Sequence, residues 1–128
     1  MNATKAQYVP GVCNIGEAEI AQRTRIGWIG LAVTVVLWAL LLFFQAPAWL
    51  RLILFFPAAF SAAGFIQGFS HFCAGFGMCG VFNFGTELYK TDTVAQAEFR
   101  AKDRRKAQQI FAYSVLAGLV VAAAAFLI

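Results

Sequence analysis

The chain is 128 residues long, 61% of them hydrophobic and only 12% charged, about half the charged fraction of an ordinary soluble domain. A single domain of this size cannot hide so much apolar surface, so lipid must cover part of it, and the length leaves no room for a second domain or a large catalytic one. The net charge of +4 fits basic residues flanking apolar spans better than a nucleic-acid footprint. The three cysteines, an odd number, do not make the disulfide framework of a secreted domain.

Residues 1–13 read as a polar, loosely ordered tail punctuated by Pro10-Gly11. Asn14 has the character of a helix N-cap, with Glu17 three residues on as in a capping box. Glu17 and Glu19 suit the positive end of a helix dipole. Nothing breaks this helix before Pro47, and residues 26–44 are uncharged, close to the ~20 residues that cross a hydrocarbon core. That run is as long as a full span and lacks a small-residue cleavage site, so a signal peptide is not expected.

Residues 45–48 read as a tight turn, and Trp49 and Arg51 mark the far interface. The next charged residue is Glu87, too far for one span. Residues 52–72 make a second helix, bent near Pro57. Residues 74–86 hold Gly75, Gly77, Gly80 and Gly85, a density that disfavours regular helix. They are expected to form an apolar loop at the headgroup level or against the helices, since irregular backbone is not tolerated in lipid. Residues 91–109 are polar, Thr93 with Gln96 offers a second capping box, and residues 110–128 form a third uncharged span.

The organisation expected is therefore a tail (1–13), a helical hairpin with a Gly/Phe/Cys-rich interfacial loop (14–86), and a basic amphipathic helix running into a third transmembrane helix (87–128). Lys5, Arg23 and Arg25 precede the first span, Arg51 stands alone in the first loop, and Lys90, Arg100, Lys102, Arg104, Arg105 and Lys106 lie in the second. This bias places the N-terminus in the cytoplasm and the C-terminus outside. The fold class is an all-α integral membrane protein with three transmembrane helices, multi-pass in a cell membrane, with the bacterial inner membrane the expected one.

Residues 14–27 read N-I-G-x-x-E-x-x-x-R-x-x-x-G, with fixed positions Asn14, Gly16, Glu19, Arg23 and Gly27. The pattern resembles the start of the YgaP-like transmembrane-domain family, a short helical hairpin whose second helix ends in a Gly/Phe/Cys-Pro-rich segment followed by glycine and often threonine. The resemblance covers about residues 14–86 and implies that Cys73 or Cys79, then Gly85 and Thr86, are the counterparts. Cys73 is followed by Ala74 and Cys79 by Gly80 where the family tends to have proline, and the third span is an addition. The family has no settled function. Some members are fused to a rhodanese, a sulfur-transfer domain, which this chain lacks, so the resemblance implies the hairpin and hints at sulfur chemistry.

Four groups of residues are candidates for a specific role. His71, Cys73, Cys79 and Cys13 are expected at one membrane face, where thiols and an imidazole suit a tetrahedral zinc or other metal site or thiol chemistry. The spacing H-x-C-x5-C matches no standard zinc motif, and cysteine is a common buried small residue, so plain packing without a cofactor is the leading expectation. His71, the only histidine, ends a span, where ionisable residues tend to work or to pair; haem would want a second histidine.

Gly27 and Gly30 on the first helix, Gly64 and Gly68 on the second, and Ser114, Gly118 and Ala122 on the third form faces that let helices approach closely, within the molecule or between copies. Nine of the 14 phenylalanines fall in residues 52–86, as lipid-facing filler or as a docking surface for a membrane complex, a quinone or a pigment. Arg23, Arg25, Arg100, Lys102, Arg104, Arg105 and Lys106 form a membrane-surface basic set facing anionic headgroups, Arg23 also pairing with Glu19 four residues back.

Catalytic signatures are missing: there is no G-x-S-x-G, phosphate loop, dinucleotide fingerprint or H-E-x-x-H, and no acidic residue inside a span, which disfavours a proton-driven transporter. No catalytic residue is assigned. The expected function is a small non-enzymatic membrane protein, an accessory or self-associating subunit, with the lipid bilayer, further copies or a larger complex as partners and no nucleic acid. The alternative is a thiol, persulfide or metal site on the His/Cys cluster. A small transporter or channel would require an oligomer.

Overall fold

The structure is a computed structural model that describes residues 7–128; residues 1–6, with Lys5 of the basic count, lie outside the described residues. Helix α1 (Glu17–Phe43) is followed by a 3₁₀ segment (Ala48–Leu54) that leads directly into α2 (Phe55–Ser70). A short α3 (Ala74–Cys79), two strands, β1 (Val81–Phe82) and β2 (Asp92–Thr93), and the long α4 (Ala97–Leu127) complete the chain. Among the described residues, three helical segments are long and apolar enough to cross a membrane: Glu17–Phe43, Ala48–Ser70 and Ala97–Leu127. Their outer faces carry Trp28, Phe43, Phe60, Val120 and Leu127, all more than half exposed, a surface that suits lipid and not water.

The bundle closes on its small residues. A Cβ placed on Gly64 would sit 2.5 Å from the Gly27 nitrogen and 2.7 Å from the Arg23 carbonyl, and one on Gly30 would meet Ser61 at 2.9 Å. Gly27 accommodates the Phe65 ring and Gly68 lies against Thr24. Ser61 donates from Oγ to the Gly27 carbonyl at 2.7 Å, an interhelical bond of the kind that steadies helix pairs in lipid by about 0.6 kcal/mol. Gly118 of α4 faces Phe55 and Ala59, with Ser114 and Ala122 buried on the same helix. The small-residue faces are thus occupied within one molecule.

At one end of the bundle, Gln45 turns the chain with a φ of 53°, and the amides of Phe44, Gln45 and Ala46 bond back to carbonyls in the last turn of α1. The change of geometry expected at Pro57 lies earlier: 3₁₀ gives way to α at Phe55, and Pro57 falls in the first turn of α2, where its missing N–H costs no bond. Arg51 donates from Nη1 to the Ala125 carbonyl at 2.9 Å. That carbonyl is one of the four left without a helical partner at the end of α4, and a cation there also matches the helix dipole.

The other end departs more from the sequence reading. Asn14 is not the helix cap; Gly16 occupies that position without a side-chain bond, and Asn14 is turned inward. Gln96 precedes α4, again without a side-chain cap, and Thr93 lies in β2, so neither capping box forms. The segment read as glycine-rich loop contains α3, which begins after Cys73 and ends at Gly80, whose φ of 73° makes the stop. β1 and β2 pair antiparallel, Val81 with Thr93 and Phe82 with Asp92. Residues 8–13 are not a loose tail: Val9 and Cys13 bridge, and the segment is fixed to α4 through Asp103. Tyr8 donates its hydroxyl to Asp103 Oδ2 at 2.6 Å and Gly11 its amide to Oδ1 at 2.7 Å.

Candidate functional site

The start of α1, the end of α2, α3 and residues 83–89 enclose a polar core. Glu19 is fully buried and Arg23 is 5% exposed, one turn apart on α1, with Arg23 Nη1 2.9 Å from Glu19 Oε1. Burying such a pair costs desolvation that only further polar contacts can offset, and the fold provides them. Asn83 donates from Nδ2 to Glu19 Oε2 at 2.8 Å, and the Tyr89 amide donates to the same oxygen. The guanidinium also lies over two rings, 5.5 Å from the centre of Phe76 and 5.3 Å from that of Tyr89, which adds cation–π attraction.

The remaining arm of Arg23 reaches a sulfur. Nη2 donates to Cys73 Sγ at 3.0 Å. Cys73 is itself gripped by Asn14, whose Oδ1 accepts from the Cys73 amide at 2.6 Å and whose Nδ2 donates to the Cys73 carbonyl at 3.1 Å. Two side-chain bonds to one residue's backbone fix where the thiol points. Gly75, an exposed residue, lies beside the sulfur: an added Cβ there would stand 3.8 Å from Sγ.

The cysteines and the histidine fall into different surroundings. Cys73 is buried, Cys13 half-buried and Cys79 exposed. Cys13 donates to the Ile15 carbonyl at 3.7 Å, and burial pushes its thiol above the ordinary value, the bond to Ile15 opposing. His71 is exposed and ends α2 in the left-handed conformation, φ 55°, where its carbonyl accepts from the Asn14 amide. Among the described residues no three His, Cys, Asp or Glu side chains are grouped to hold a metal ion.

Of the basic set, Arg23 is buried and so is not a surface anchor. Arg25, Lys102, Arg104 and Arg105 are exposed. Arg100 donates from Nη1 to the carbonyls of Val94 and Ala95, closing the turn before α4. Lys106 is half-buried beside the turn at Pro10 and Gly11.

The site members that sequence reasoning missed are Asn14 in its clasping role, Asn83, Tyr89 and the Tyr8–Asp103 pair. One signal for part of this was present: the five spaced positions Asn14, Gly16, Glu19, Arg23 and Gly27 are all buried. Gly16, Glu19, Arg23 and Gly27 follow at spacings of three and four, so they share one face at the start of α1, and a Glu and an Arg on the same face as two glycines mark a polar core and not a membrane anchor.

No protein-family model, curated protein or solved structure matches this chain.

Proposed function

We propose that this multi-pass membrane protein works through the Cys73 thiol, as a membrane-embedded sulfur carrier at the cytoplasmic end of its helices. The observation that carries the reading is the buried guanidinium of Arg23 bonded to Cys73 Sγ at 3.0 Å, itself backed by Glu19. The guanidinium fixes the direction of the sulfur through this bond, and cysteine acts as a nucleophile through its thiolate. The step is persulfide exchange. The Cys73 thiolate attacks the outer sulfur of a small-molecule persulfide, the donor's S–S bond breaks, a new S–S bond forms on Cys73, and the donor leaves as a thiolate. The resemblance to the YgaP-like family, some of whose members carry a rhodanese, supports the same chemistry. The Lys and Arg bias of the loops supports a cytoplasmic site in a bacterial inner membrane.

The test is intact-mass analysis of purified protein exposed to a low-molecular-weight persulfide. The expected result is a gain of one sulfur atom that is lost in Cys73→Ser and kept in Cys13→Ser and Cys79→Ser. A gain that survives Cys73→Ser, or no gain in the native chain, overturns the reading.

A second reading, a non-enzymatic accessory subunit, is favoured by the exposed phenylalanines Phe56 and Phe60 of α2, one turn apart on one face that suits docking against a neighbouring membrane helix. Native mass spectrometry of gently solubilised membranes decides it; a strict monomer without partners counts against it.

A further inference from the structure

The cytoplasm-proximal half of α4 carries a second constellation, independent of Cys73. Lys102, Arg105, Lys106 and Gln109 line a cleft of about 510 Å³ closed on its far side by the turn at Pro10 and Gly11. Spacings of three and four put these four side chains on one helix face. The opposing wall is held in place from behind: Asp103 accepts from the Gly11 amide and the Tyr8 hydroxyl and is fully buried. Asp103 is therefore spent on the wall, and among the described residues no carboxylate lines the cleft itself.

Position along the helix supplies the second observation. Gln109 is the last polar residue before the uncharged run of residues 110–128, so the cleft stands where a bilayer's phosphates would lie. The same face continues below it as Tyr113, Leu116 and Val120, each more than half exposed and again three or four residues apart. A cationic cleft directly above an exposed apolar stripe has the two-part shape of an anionic phospholipid, whereas a free phosphate would use only the upper part.

We infer that this cleft binds the phosphodiester headgroup of an anionic phospholipid, whose acyl chains lie along Tyr113, Leu116 and Val120. Each cation near such a headgroup is worth about fivefold in affinity. The test is native mass spectrometry of detergent-solubilised full-length protein titrated with dioleoyl phosphatidylglycerol, dioleoyl phosphatidylcholine and inorganic phosphate. Phosphatidylglycerol is expected to be retained at least about tenfold more tightly than phosphatidylcholine. The triple variant Lys102→Ala, Arg105→Ala, Lys106→Ala should fall to the phosphatidylcholine level; it leaves Asp103 and its bonds to Tyr8 and Gly11 in place, so the wall survives. The charge-matched variant Arg25→Ala, Lys90→Ala, Arg104→Ala should retain the preference. Equal losses in both variants would mean diffuse surface charge and overturn the site, and displacement of the lipid by inorganic phosphate would overturn the lipid as its ligand.

Discussion

At the residue scale, the Glu19–Arg23 pair decides the character of the site. The spacing of four predicts their pairing, but not that the pair is buried, because the groups that enclose it, Asn83 and Tyr89, lie more than 60 residues away in sequence and reach it only through the fold. Removing one partner leaves an uncompensated buried charge, and Glu19→Ala is expected to cost about 3–5 kcal/mol. Removing both leaves no charge, so Glu19→Ala with Arg23→Ala should cost clearly less than the two single changes added. Reversible unfolding in mixed micelles measures the cycle, and strict additivity would show that the two do not act as a pair. Tyr8 gives a pH prediction. Burial first, then the bond to Asp103 and its charge, push the phenol above its ordinary value near 10. The folded state therefore favours the neutral phenol, and this contribution is complete below pH ~10 and declines as the unfolded chain begins to ionise above it. Tyr8→Phe should be less stable at neutral pH yet lose stability less steeply between about pH 10 and 12; an unchanged alkaline slope would refute the latch.

At the scale of elements, the spans and the glycine faces were legible, because hydropathy and small-residue spacing are local properties that lipid and close packing read directly. The caps and α3 were not. Asn14 has the right chemistry for a cap, but a distant backbone, that of Cys73, competes for both ends of its amide. Glycine-rich α3 has poor intrinsic propensity. It forms because Gly77 fits where a Cβ would come within 2.7 Å of the Phe72 ring and 2.9 Å of the Asp103 carbonyl, so one of the two glycines that weaken the helix alone, Gly77, is the one that lets it dock. Gly64→Ala should force α1 and α2 apart and cost about 1–3 kcal/mol. Gly75→Ala, whose Cβ meets only Cys73 Sγ at an ordinary contact distance, should leave stability unchanged and slow alkylation of Cys73. Melting in detergent and thiol-labelling rates separate the two effects, and equal stability losses at both positions would remove the distinction.

At the scale of the whole molecule, the chain places its groups at two opposite ends. The buried Glu19–Arg23–Cys73 core, α3 and the cationic cleft share one end, and the turn at Gln45 with the Arg51–Ala125 contact marks the other. The number of spans follows from hydropathy, but sidedness rests on charge alone: one basic residue in the first loop against six in the second. Because each exposed Lys or Arg disfavours translocation of a short loop, the end holding Cys79 should face the cytoplasm. A chain with Cys79 as its one thiol (Cys13→Ser, Cys73→Ser) is therefore expected to resist a membrane-impermeant maleimide in intact cells and to react once they are opened. The same background with Gln45→Cys in place of Cys79 should react in intact cells. Serine can still accept from Arg23 at position 73, so the probe chain keeps the contact that fixes the site. The reverse labelling pattern would invert the topology. It would put Cys73 where soluble persulfides of the cytoplasm do not reach it, so sidedness bears on the sulfur-carrier reading as directly as the chemistry of the thiol does.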